Sequence, residues 1–221
     1  MVDILDYKKE YNDLYIPKEK PTVVDVPVMK FIMIDGVGNP NEEKGEYQAA
    51  AEVLYGLSYA IKMSKMKVAP VGYFEYVVPP LEGLWWFDEQ VSGISQTNNF
   101  CWISMIRQPE FVTEEVFEAA IREVNRKKPQ VDTGRARLDT FSEGLCVQMM
   151  HVGPFADEPK TIAIIEKYII ENGFANAISD ILPDGKIRRH HEIYMADPRK
   201  IAPEKMKTVL RIPVRRLVPR T

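Results

Sequence analysis

The feature that most limits what this chain can fold into is an order of elements that occurs twice. Residues 28–37, VMKFIMIDGV, are a mostly apolar run with weak period-two alternation and predict a strand. Gly36, Gly38, Asn39 and Pro40 end it in a turn. A helix follows over 45–66, where Ala50, Leu54, Leu57 and Ile61 lie three or four apart on one face. Tyr55, Tyr59 and Met63 make a neighbouring stripe. Strand segments follow at 72–78 (GYFEYVV, stopped by Pro79 and Pro80), 81–87 (LEGLWWF) and, after a polar loop, 98–107 (NNFCWISMIR). The second half opens in the same way, with a strand at 145–152 (LCVQMMHV) and a turn at Gly153 and Pro154. A helix over 157–171 has Ile162, Ile165 and Ile169 on one face and a glycine stop at Gly173. Strands at 187–196 and 207–214 complete it, with Asp197, Pro198 and Pro203 in the link between them. Strand, helix, strand, strand therefore appears from Phe31 to about Trp102 and again from Leu145 to Val214. Two such units predict an α+β fold, a duplicated strand-helix-strand-strand arrangement forming one antiparallel sheet with two long helices across it.

The segments around the repeat are polar. Residues 1–21 carry Pro17 and Pro21 and read as a short helix or an extended arm. Thr113 reads as an N-cap, with Val116, Phe117, Ala120 and Val124 forming a helical face behind it. Residues 129–144, PQVDTGRARLDTFSEG, read as a surface loop dividing the halves. The expected organisation is one domain over 1–221, with repeats at about 28–107 and 145–215 and a linking helix and loop at about 112–143.

Charge and hydropathy remove several function classes. The net charge is −3 and the pI near 5.8, so no basic field exists to hold a phosphate backbone, and no direct nucleic-acid partner is expected. The N-terminus is charged and lacks the apolar core of a signal peptide. No stretch approaches the run of about 20 apolar residues that spans a membrane, so the expectation is a cytoplasmic protein without a membrane partner. Cys101 and Cys146 lie in apolar runs with no zinc-type spacing, as buried thiols of a cytosolic protein do. Nothing in the sequence sets an oligomeric state.

Two sets of residues could carry chemistry. The aromatic side chains cluster between Tyr47 and Trp102. Tyr76, Trp85, Trp86 and Trp102 fall in neighbouring predicted strands, and Tyr55 and Tyr59 on the predicted helix. They read either as core or as the wall of a site for flat or cationic ligands. Adjacent Trp85 and Trp86 must point to opposite faces of their strand. The second set is the strand IRRHHEIYMA, where His190, Glu192 and Tyr194 share a face. Glu192 sits either on a solvated face or buried, where its carboxyl would be perturbed or paired with a cation. Glu82, after two prolines, reads as a surface residue first and a second pocket carboxylate otherwise; His151 reads as structural first and ligand-facing otherwise. His190 and His191 face opposite ways and do not share an ion, so no metal is expected. The DGVGNP turn lacks the lysine of a phosphate loop, and no cofactor is expected.

DGVGNPNE, LYGLSYAIKM, VVPPLEGLWW, HVGPF and above all HHEIYMADPRK followed by KTVLRIPV resemble the stand-alone GyrI-like proteins over roughly residues 1–215. The resemblance implies the fold of the effector-binding domains of multidrug-responsive activators, with a buried glutamate in the penultimate strand, here Glu192. It implies aromatic walls that hold hydrophobic, often cationic, compounds. Some stand-alone members open electrophilic cyclopropane rings of DNA alkylators by adding water. No helix-turn-helix segment precedes the domain in this sequence, a departure from the activators. Three function classes stay open: a detoxifying hydrolase, a drug-sequestering protein, and an interaction module such as a gyrase inhibitor. The partner expected first is a small hydrophobic or cationic organic ligand. In the hydrolase, Glu192 acts as general base and Tyr76 or Tyr59 stabilises the oxygen that gains charge. Tyr55, Trp85, Trp86, Trp102, Glu82, His151 and Tyr194 are the expected ligand contacts.

Overall fold

The computed structural model describes residues 4–87, 100–197 and 200–217. Its contacts divide the chain into two compact units, one of Met1–Glu10 with Met29–Phe141 and the other of Tyr11–Val28 with Ser142–Thr221. Both are α+β, and the strands within each pair antiparallel. Strands β1 (Thr22–Val37) and β4 (Arg137–Val152) each begin in one unit and end in the other.

In the first unit β3 (Phe100–Arg107) lies between the second part of β1 and β2 (Leu81–Phe87). Helix α3 (Glu46–Met63) buries Ala50, Leu54, Leu57 and Ile61, the face that the spacing predicted. Helix α4 (Glu114–Lys127) packs on α3 through Phe117, Ala120 and Val124, and the Thr113 hydroxyl caps it by accepting from the Val116 amide at 3.4 Å. Gly36 belongs to β1 and not to the turn after it. It stands opposite Trp102, and a Cβ there would lie 2.1 Å from the indole, so the close approach requires glycine. The turn itself falls at Gly38, with φ 106°.

Two expectations fail in this unit. Residues 72–78 form no strand; Tyr76 makes a single bridge to Leu5. Gly72 has φ 78°, Pro79 and Pro80 donate no hydrogen bonds, and the aromatic alternation serves to bury Tyr76 against Tyr73, Phe74 and Phe111. The polar stretch 129–144 is not all loop, because β4 starts at Arg137. Its side chains there are partly exposed and engaged in ion pairs such as Arg137 with Asp35, so hydrophobic alternation is missing from a real strand. Residues 98–99 of the expected third strand, and Pro198 in the later link, lie outside the described residues.

In the second unit β7 (Lys207–Arg216) pairs with the end of β4, with β6 (His190–Tyr194) and with β5 (Phe174–Asn176). Three residues are too few for β5 to show a period. Short helices α1 (Tyr7–Glu10) and α2 (Asn12–Tyr15) take up part of the N-terminal segment; α2 falls in this unit and buries Leu14 and Tyr15. Helix α5 (Glu158–Glu171) packs Ile165 and Ile169 on Val147, Met149, Leu210 and Ile212. Among the described residues no helix is long and apolar enough to cross a membrane.

Candidate functional site

The register of β4, β7 and β6 decides which side chains share a face. Leu210 pairs with both Met149 and Glu192, and Thr208 with both His151 and Tyr194. Residues directly opposite in antiparallel strands point the same way, and so do residues two apart. Glu192, Tyr194, Thr208 and His151 therefore lie on the face that α5 covers through Leu210.

On this face the Tyr194 hydroxyl donates to Glu192 Oε2 at 2.8 Å, and His190 Nε2 stands 3.3 Å from Oε1. The Glu192 side chain keeps 15% of its surface exposed. Glu158 opens α5 and is 7% exposed. The Thr208 hydroxyl hydrogen-bonds to Glu158, whose Oε1 has no partner. Burial and then the charge of Glu192 push the Glu158 carboxyl up to about 9, against a smaller opposite pull from Thr208. Phe155 meets the Tyr194 ring edge-on at 5.9 Å and ties the turn before α5 to β6. His151 is held structurally: Nε2 donates to the Pro154 carbonyl at 3.1 Å, and Nδ1 meets the Thr161 hydroxyl at 2.9 Å.

The opposite face buries an ionic network around Glu143, whose Oε1 has no partner. Glu143 Oε2 accepts from Arg211 Nη1 at 2.8 Å and lies 2.9 Å from His191 Nδ1. Arg211 also donates to Gln148 Oε1 and to the Leu14 carbonyl, each at 2.9 Å. Burial alone would raise the Glu143 carboxyl, but the charges and hydrogen bonds of His191 and Arg211 outweigh it and hold the group down at about 2. Gly144, at φ 69°, breaks the alternation of β4 so that Glu143 can join Gln148 on this face.

The tryptophans and most of the tyrosines lie in the first unit. Tyr47, on the first turn of α3, packs against Trp85 at 5.3 Å and meets Trp102 edge-on at 5.1 Å between ring centres. Trp102 is fully buried. Trp86 is half-buried on the other side of β2 from Trp85, on the face of Glu82. Glu82 is fully buried, which corrects the surface reading; its register partner is Met105 in the centre of β3. Tyr55 and Tyr59 stack at 6.5 Å on the solvent side of α3, with Tyr59 51% exposed. Tyr76 is fully buried among Tyr73, Phe74 and Phe111, and burial pushes its phenol well up.

The expected residues thus gather as separate groups: Glu192 with Tyr194, Trp85 with Trp102 through Tyr47, Tyr55 with Tyr59, and Tyr76 in its own cluster. Sequence reasoning missed Glu158, Thr208, Glu143 and Tyr47. Tyr47 could have been found, since it extends the Ala50, Leu54, Leu57 and Ile61 face back by three residues. Arg211 inside the apolar run TVLRIPV signals a buried counter-charge. Glu158 carries no such signal, because an acid at a helix start ordinarily serves the helix dipole.

A family model of the GyrI-like small molecule binding domain matches residues 19–215. A hydrolase from Listeria innocua is 49% identical, with a TM-score of 0.84, over 96% of this chain and 100% of its own. An uncharacterized conserved protein from the same organism is 50% identical, with a TM-score of 0.85 over the same shares. The C-terminal domain of EcmrR superposes with a TM-score of 0.52 at 9% identity over 90% of this chain and 98% of its own, a likeness of fold alone. No curated protein matches the chain.

Proposed function

The chain belongs to the GyrI-like family of small-molecule-binding domains, and we propose that it binds a small hydrophobic or planar organic compound against Glu192 and adds water to electrophilic members of that class. The observation that carries this reading is the setting of Glu192. One of its oxygens accepts from the Tyr194 phenol, the His190 imidazole stands 3.3 Å from the other, and part of the side chain stays open to a ligand. A carboxylate fixed in this way can take a proton from a water placed on it as that water attacks a strained ring. The end-to-end likeness to a Listeria innocua hydrolase supports chemistry beyond binding. Tyr194 is the hydroxyl bonded to the base.

The experiment follows a cyclopropane-containing alkylator by mass for the gain of one water, and its binding by calorimetry. The wild type is expected to bind it and yield the adduct. Glu192→Gln is expected to bind comparably and to lose about a hundredfold to ten-thousandfold in rate. Full activity in Glu192→Gln removes Glu192 as the base. Binding without any adduct from the wild type leaves sequestration and removes hydrolysis.

A further inference from the structure

Between the end of α3 and the buried Tyr76 cluster the chain makes a short excursion over residues 66–72, MKVAPVG. Its base is pinned. The Tyr73 hydroxyl donates to the Lys62 carbonyl at 2.8 Å, Lys65 pairs with Glu75, and the Tyr73 amide donates to the Pro70 carbonyl at 3.0 Å. The apolar side chains on this pinned loop nevertheless stand in water. Val68 is 82% and Val71 98% exposed, and Met63 and Met66 before them are exposed too. Single exposed aliphatics are ordinary, but several together on one tied-down loop form a surface suited to an apolar phase.

Cations adjoin these tips. Lys62, Lys65 and Lys67 alternate with Met63, Met66 and Val68 along the chain. Lys67 reaches α4, where its Nζ donates to Glu123 Oε2 at 2.7 Å. Arg126 Nη2 and Lys127 Nζ stand 3.1 and 3.0 Å from Glu123 Oε1, so one carboxylate serves three cations. Lys128 pairs with Glu52 at 2.8 Å, and Lys62 has no ion pair among the described residues. Cations thus outnumber carboxylates on this rim by two to one, in a chain whose net charge is −3.

We propose that this loop docks on an anionic lipid surface, with Met66, Val68 and Val71 entering the bilayer interface and the rim of lysine and arginine side chains meeting the lipid phosphates. Apolar tips gain by leaving water, and cations beside them gain from the negative surface potential. The two together hold a protein on a membrane without a spanning helix. The sequence lacks a spanning run, which removes a transmembrane segment and leaves a surface contact open.

Charge selects this occupant. A second copy would bring rim against rim, and like charges repel. A nucleic acid would answer the cations but leave the valines in water. The contact goes beyond the reading of Glu192 and does not depend on it.

Vesicle sedimentation with the full chain tests the proposal. Phosphatidylcholine vesicles with roughly one third phosphatidylglycerol should carry down the wild type, and pure phosphatidylcholine about tenfold less of it. Salt at about 0.5 M should release the protein, because it screens the rim from the phosphates. Val68→Ser with Val71→Ser should lower the bound fraction about tenfold, with an unchanged melting curve because both positions are exposed. Lys62→Gln with Lys127→Gln should lower it about tenfold as well. A wild type that stays in solution with the anionic vesicles overturns the proposal. So does equal sedimentation with both kinds of vesicle, or wild-type binding by either double variant. Self-association in the absence of lipid that the valine variant abolishes gives the surface to a second copy and overturns it too.

Discussion

The two faces of the β4–β7–β6 sheet each bury a carboxyl group, and their neighbours give those groups opposite characters. Glu143 meets Arg211 and His191, so its negative charge is favoured despite complete burial. Glu158 meets Glu192 and one threonine, so its negative charge is opposed by burial and by repulsion together. The first arrangement leaves an ion with nothing to do but hold α2, β4, β6 and β7 in place. The second raises the carboxyl to about 9, so that it holds its proton at neutral pH. Residue type alone does not separate structural from reactive carboxyls; the sign of the neighbouring charge does.

The sharpest way to break this comparison is Glu143→Gln. Removing one partner of a buried ionic network leaves Arg211 without its counter-charge, and the expected loss of stability is about 3–5 kcal/mol by denaturant unfolding. A loss well under that would mean that Arg211 is solvated in some other way. The same group sets the acid limb. Its folded value of about 2 lies below the ordinary 4.5, so its contribution is full above pH 4.5 and disappears as pH falls through 2.

Glu158 carries the opposite sign. Its folded value of about 9 lies above the ordinary 4.5, so stability should decline as pH rises from 4.5 toward 9. Glu158→Gln should flatten that slope and be about 1–2 kcal/mol more stable than the wild type near pH 8, as substitutions that relieve a strained functional site often are. Melting curves across that range decide it, and an unchanged slope would remove the contrast between the faces. The smallest effect is expected from Tyr194→Phe. It deletes the bond to Glu192 Oε2 and should lower turnover about tenfold, or about 1.4 kcal/mol, with the melting temperature nearly unmoved. Kinetics and melting on the same sample separate the two.

Much of the fold was legible. Helix α3 and its buried face, the Thr113 cap of α4, strands β2, β6 and β7 and the α+β duplication all follow from spacing. The misses have physical causes. GYFEYVV has strand composition, but prolines follow it and its aromatic rings find a packed cluster instead. The start of β4 is polar, because ion pairs rather than apolar contacts occupy its side chains.

Sequence by itself determined which residues share a face of β6, because a strand alternates by geometry whatever surrounds it. His190, Glu192 and Tyr194 on one side and His191 on the other needed nothing more, and that sharing puts Tyr194 within reach of Glu192. Only the tertiary structure decided what each face meets. Register across β7 set Thr208 beside Tyr194, the start of α5 buried Glu158 with its charge opposed by that of Glu192, and the left-handed turn at Gly144 swung Glu143 toward Arg211. The charge of a neighbour from a distant part of the chain determines whether a buried carboxyl keeps or gives up its proton, and no local pattern records that neighbour.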